Sequence, residues 1–288
     1  MLTWLAFWSL ALIWGSSFLA MKVAVAEVGP AVITAVRLLL AAALFALYLQ
    51  RTRRTPPRGA RACWARGSFG GFNTPGSFTL IAWGTSQIDS GLATILVGAT
   101  PFFSLLIAHY AVRGGAERLT PGKGVGLLLG LAGVAVLGAR GGLELDGPTL
   151  GKLAVLGGGL CYAVSLSVIR TQLSAVEPIR VAGYSVLVGA VASLVLAIPE
   201  LGDAWTRVID GPGLSIETSI SLLALGLIQT LLAYFLFYHL VDRWGPRASL
   251  VTYAMPPIGV ALGVLVLGET LDTNLLLGGA LILIGIVV

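Results

Sequence analysis

Few residues in this chain can do chemistry. Of its cations, Lys22 and Arg37 stand nearest to apolar surroundings. Arg37 lies seven residues beyond Pro30, about 10 Å into an apolar helix at ~1.5 Å per residue. A charged side chain at that depth is costly in hydrocarbon, so it faces either a cavity or a partner. Either Arg37 binds a carboxylate, or it snorkels to the interface or pairs with Glu27 or a helix C-terminus. Lys22 sits at a span end and reads as a snorkelling residue. No Asp or Glu falls in the middle of an apolar run, where proton-coupled carriers commonly place one. Asp89, Asp242, His109 and His239 lie only at run edges. Movement of a solute down its own gradient is therefore the expectation.

Uncharged polar groups inside the apolar runs are Ser16, Ser17, Thr79, Thr94, Thr100, Ser165, Gln229 and Thr252. They either face water and hydrogen-bond a zwitterion, or bond between helices or back to the preceding turn. Trp14, Trp83, Tyr162, Tyr234, Tyr238 and Tyr253 are the aromatics of interest. Near a surface they are interfacial anchors, and deep in a span they can line a site for aromatic solutes. From these groups the candidate substrate contacts are Trp14, Ser17, Arg37, Thr79, Trp83, Thr94, Tyr162, Ser165, Gln229 and Tyr253. Pro101, Pro256 and Pro257 each remove an N–H and free a carbonyl one turn earlier. They supply either hinges or static kinks.

The elements that position these residues are apolar helices. Hydrophobic residues make up 57% of the 288, and charged ones 11%, against ~25% in an average soluble domain. Ser90 to Val112 runs 23 residues without a formal charge, enough to cross a ~30 Å hydrocarbon core. About ten such spans are expected, near 2–21, 29–49, 67–87, 90–112, 121–139, 150–170, 179–198, 218–241, 247–268 and 272–288. Leu2 to Met21 reads as a retained span, because no basic n-region or cleavage site accompanies it. At the other end, Val288 closes the last span without a charged tail, as an abrupt natural terminus or a truncation would. The expected class is an all-α membrane protein.

The order of features repeats. Trp14, Ser17, Lys22 and Pro30 answer to Tyr162, Ser165, Arg170 and Pro178, each pair 148 residues apart. Further on, Ala93-Thr94 answers to Ala248-Ser249, Pro101 to Pro256, Glu117 to Glu269, and Thr120 to Asp272. Two five-helix repeats, 1–140 and 141–288, follow. Five is odd, so the second repeat enters the membrane inverted, which a site opening alternately to either face requires. With the N-terminus in the cytoplasm, thirteen Lys and Arg fall on that side and four, Lys22, Arg140, Lys152 and Arg207, on the other. Both termini are expected to be cytoplasmic. Glu117 and Glu269 read as turn or helix-start residues, with Thr120 and Asp272 capping the next helix. The glycines Gly126, Gly130 and Gly133, and Gly278, Gly279 and Gly285, read as packing positions rather than a dimer face.

Segments LALIWGSSFLAMKVA, AVRLLLAA, AERLTPGKGVGLLLGLAGV and GETLDTNLLLGGALILIGI together resemble the drug/metabolite transporter superfamily, EamA-type. The resemblance covers essentially the whole chain. It implies a central cavity formed mainly by spans 1, 3, 4, 6, 8 and 9. Among members the chain is most similar to bacterial exporters of amino acids, including aromatic ones. That implies a multi-pass protein of the bacterial inner membrane, working as a monomer on a small molecule, with no cofactor. Phosphorylated-sugar, nucleotide-sugar and cationic-drug carriage are the alternatives. The first two want several cavity cations and the third a buried acid. HExxH, GxSxG, P-loop and Cys/His metal spacings are missing, so an intramembrane enzyme is not expected. A channel or scaffold would not need matched prolines in an inverted repeat. The +5 net charge reflects loop topology rather than nucleic acid, and Cys63 and Cys161 are not expected to bond.

Overall fold

The computed structural model describes residues 2–54, 74–111, 120–139, 147–172 and 176–287. They form helices and short connections, with no strand among them. In chain order the helices are α1 (Leu2–Val25), α2 (Pro30–Arg51), α3 (Ser77–Gln87), α4 (Ser90–Gly98), α5 (Thr100–Ala111) and α6 (Pro121–Gly138). Then follow α7 (Gly147–Gln172), α8 (Pro178–Trp205), α9 (Ile216–Leu223), α10 (Ala233–Trp244), α11 (Val251–Leu267) and α12 (Thr273–Val287). A π-helical stretch, Ala224–Leu232, joins α9 to α10. Among the described residues, eight helical segments are long and apolar enough to span a bilayer, and α12 is a shorter apolar helix. The third expected span is described only from residue 74.

Helix starts follow local chemistry. Pro30, Pro121 and Pro178 occupy first turns, where a missing N–H does no harm. Thr120 caps α6 through the Lys123 amide at 3.4 Å, and Asp272 caps α12 through Leu275 at 2.7 Å, as the sequence suggests. Glycines set the close helix crossings. A Cβ on Gly133 would lie 2.7 Å from the Gly278 carbonyl, and one on Gly278 2.5 Å from Leu137 Cγ. The glycines of α6 and α12 therefore face each other inside one chain. Gly226 plays the same part for the π stretch and α2, where its Cβ would meet Leu40.

One expectation needs correction. The seventh span does not stop at residue 198: α8 continues through Pro199 to Trp205. Its extension presents Glu200 to the start of α2, whose Ala31 and Val32 amides donate to the carboxylate at 2.8 and 3.1 Å. The fourth span, Ser90–Tyr110, carries a one-residue turn at Ala99 between α4 and α5, two residues before Pro101.

Candidate functional site

Arg37 is 6% exposed, seven residues into α2. Its Nε donates to Thr230 Oγ1 at 2.7 Å and its Nη2 to the Gln229 carbonyl at 3.4 Å. Both acceptors lie in the π stretch, whose wider winding lets Thr230 donate onward to the Leu225 carbonyl, five residues back, at 2.8 Å. The guanidinium lies 3.9 Å above the Phe78 ring of α3. A cation over an aromatic face in a dry setting gains about 2 kcal/mol. No described carboxylate pairs with Arg37. Glu27, one of its expected partners, instead accepts from the Ser215 amide at 3.0 Å and lies 3.5 Å from Arg207. Arg37 therefore neither snorkels nor pairs with Glu27.

Aromatic rings extend from this point. Phe78 meets Tyr162 edge-on at 6.1 Å, and Tyr162 and Tyr234 belong to the same buried cluster as Phe45. Tyr234 stacks on Tyr238 at 6.1 Å, Tyr238 meets Phe237 at 5.5 Å, and Phe237 meets Trp14 at 5.4 Å. The arc joins α1, α2, α3, α7 and α10. Close in sequence to these groups are buried oxygens without a hydrogen-bond partner: Thr79 Oγ1, the residue after Phe78; Ser165 Oγ, three residues past Tyr162; and Gln229 Oε1, the residue before Thr230. Each such group costs about 1–3 kcal/mol when nothing bonds to it. The Gln229 amide nitrogen donates to Ser16 at 3.3 Å.

The remaining candidates lie elsewhere or are already engaged. Ser17 donates to the Trp14 carbonyl at 2.7 Å and Thr94 to the Ser90 carbonyl at 2.7 Å. Thr94 packs against Gly259 of α11, and Tyr253 stands on that helix. Trp83 shares the exposed face of α3 with Leu80 and Gln87 and is 39% exposed. The prolines behave unequally. Pro101 follows the break at Ala99, whereas Pro256 and Pro257 are carried within continuous α11. Pro256 is buried and lies opposite Gly98, just before the break.

Lys22 does not snorkel. Its ammonium donates to the carbonyls of Thr85 and Ile88, at 2.9 and 2.7 Å. Glu269 reaches further than its own turn and accepts from the Ser90 and Gly91 amides of α4 at 2.6 and 2.9 Å. Cys161 is a free thiol; Cys63 and Glu117 lie outside the described residues.

Sequence reading missed Phe78 and Thr230, which complete the Arg37 setting. Phe78 contacts Arg37 across 41 positions of chain and Thr230 across 193, so no local spacing announces either. The one local sign was the run of polar Gln229 and Thr230 inside an apolar stretch.

Known proteins bear on the site at this point. The EamA-like transporter family matches residues 2–139 and again 149–288. An uncharacterized transporter of Bacillus subtilis is 26% identical, covering 96% of this chain and 93% of its own. A probable terminal-alkyne amino-acid exporter of Streptantibioticus cattleyicolor is also 26% identical, covering 98% of this chain and 92% of its own. An uncharacterized inner membrane transporter of Escherichia coli K12 shares 26% identity over 93% and 83% of the two chains. One solved crystal structure, 22% identical, has the same fold with a TM-score of 0.65, covering 98% of this chain and 93% of its own.

Proposed function

The chain belongs to the EamA-like transporter family, and from that premise we propose that it exports amino acids and related small metabolites across the bacterial inner membrane. The observation that carries this reading is Arg37: a buried cation without a carboxylate partner among the described residues, set over Phe78 and bonded to Thr230 and to the backbone of Gln229. A substrate carboxylate pairs with Arg37. The ammonium group takes Gln229 Oε1 and the hydroxyls of Thr79 and Ser165. An aromatic or apolar side chain lies along the arc from Tyr162 to Trp14. One relative named as an amino-acid exporter supports the same class.

Phosphorylated substrates fit less well. They call for several free cations, whereas Lys22 is held by two carbonyls and Lys152 donates to the Gly138 carbonyl at 2.9 Å. Alternating access follows from two inverted five-helix repeats of about ten spans, and two successive family matches support that division. Thr94, Trp83 and Tyr253 contribute only in another conformation of the cycle, and Pro101 with Pro256 provides the bending point.

Uptake into proteoliposomes tests the reading, using labelled amino acids, a sugar phosphate and a cationic dye, with and without a pH gradient. Saturable amino acid flux without the gradient is expected. Arg37→Met should lower it about 10- to 100-fold, the equivalent of one charged hydrogen-bonded contact of ~1.5–3 kcal/mol. Flux of the phosphate or dye alone, or strict dependence on the pH gradient, overturns it.

A further inference from the structure

The tip of the α3–α4 hairpin is held from two sides. Only Ile88 and Asp89 separate the two helices. Lys22 of α1 donates to the carbonyls of Thr85, in the last turn of α3, and Ile88, its C-cap. Glu269, in the turn after α11, accepts from Ser90 and Gly91, the first amides of α4. The signs match the helix ends: a cation on the negative C-terminus of α3 and an anion on the positive N-terminus of α4. Asp89 and Glu269 also act on Lys22 electrostatically, so the prongs reinforce each other.

Behind this tip, α4 is short and mostly buried. It is a nine-residue segment with a break at Ala99 and a proline, Pro101, two residues on. Its face against α11 meets Gly259 and Gly263, while Leu92, Ala93, Ile95 and Leu96 pack into the main hydrophobic cluster. At its first residue, Ser90 Oγ is fully buried without a hydrogen-bond partner. The segment is held by this apolar packing along its length and by the polar contacts at its tip, and the turn at Ala99 is where it can bend.

We propose that Lys22 and Glu269 form a latch that holds the α3–α4 hairpin closed on this face of the protein, and that opening the face requires both prongs to release. The latch rests on the alternating-access reading but not on any substrate. Gly263 belongs to it, because a Cβ there would run into the Glu269 carboxylate. Gly263→Ala therefore disturbs the latch without altering any charge.

The test uses the full chain in proteoliposomes, with Cys63 and Cys161 replaced by serine and Ser90→Cys as the reporter. A water-soluble maleimide reads how often the buried position opens. Lys22→Met, Glu269→Gln and Gly263→Ala should each speed labelling about tenfold or more, while Lys22→Arg, which can still donate to both carbonyls, should stay slow. Equal rates in all variants overturn the latch. So does loss of a monodisperse elution profile in Lys22→Met and Glu269→Gln alike, which would make the contacts a requirement of folding. Labelling needs no substrate, so failed amino acid uptake leaves its result standing.

Discussion

At the residue scale, most of the informative contacts are made by charged side chains to backbone. Arg37 was legible as an anomaly in the sequence, because a charge in an apolar run demands a reason. Its solution was not legible: the π stretch and Phe78 arrive from other helices. Lys22 and Glu269 show the reverse. Each looked ordinary, and each serves a distant helix end. Glu27 allows a pH prediction. Hydrogen bonds from the Ser215 amide and hydroxyl, aided by Arg207, hold its carboxyl below the ordinary value of 4.5. A depressed folded value stabilises above the unfolded value and is lost as pH falls through the folded one. The melting temperature of Glu27→Gln should therefore sit below that of the unaltered protein by a constant margin from about pH 8 to 5, and the gap should close only below that range. Thermal melts across pH check this; a gap closing near pH 6 contradicts it.

At the scale of elements, the boundaries expected from apolar runs mostly agree with the helices, because hydrocarbon thickness and helix rise fix their length. The exception is α8, which carries Pro199 inside it rather than ending there, and the turn at Ala99 comes two residues before Pro101. The α6–α12 pair gives a prediction at this scale. Gly133→Ala and Gly278→Ala push a methyl into a backbone carbonyl or Leu137, and each should destabilise by about 1–3 kcal/mol. Gly124→Ala in the same helix α6 meets nothing within 4 Å and should be neutral or stabilising by about 0.5–1 kcal/mol. Denaturation in detergent separates the two classes.

For the whole molecule, the sequence conveyed the class, an all-helical membrane protein, since that is a pattern of composition along the chain. It did not convey which helices touch, since that depends on glycine positions seen only in three dimensions. Orientation belongs to this scale. The proposed orientation, both termini in the cytoplasm, rests on thirteen cations on one side against four on the other. Reporter fusions at either end should be active only in cytoplasmic form, and a periplasm-active fusion at one end would reverse the assignment.

Three carboxylates reach across the boundary between the two family matches: Glu27 to Ser215, Glu200 to Ala31 and Val32, and Glu269 to Ser90 and Gly91. During synthesis the ribosome releases α2 long before residue 200 exists, and α4 long before residue 269. Those helix ends must wait in the insertion machinery or at the lipid surface with their amides bonded to water. Assembly of the early half is thus completed by the late one, and a first half made alone should remain a substrate for membrane quality control.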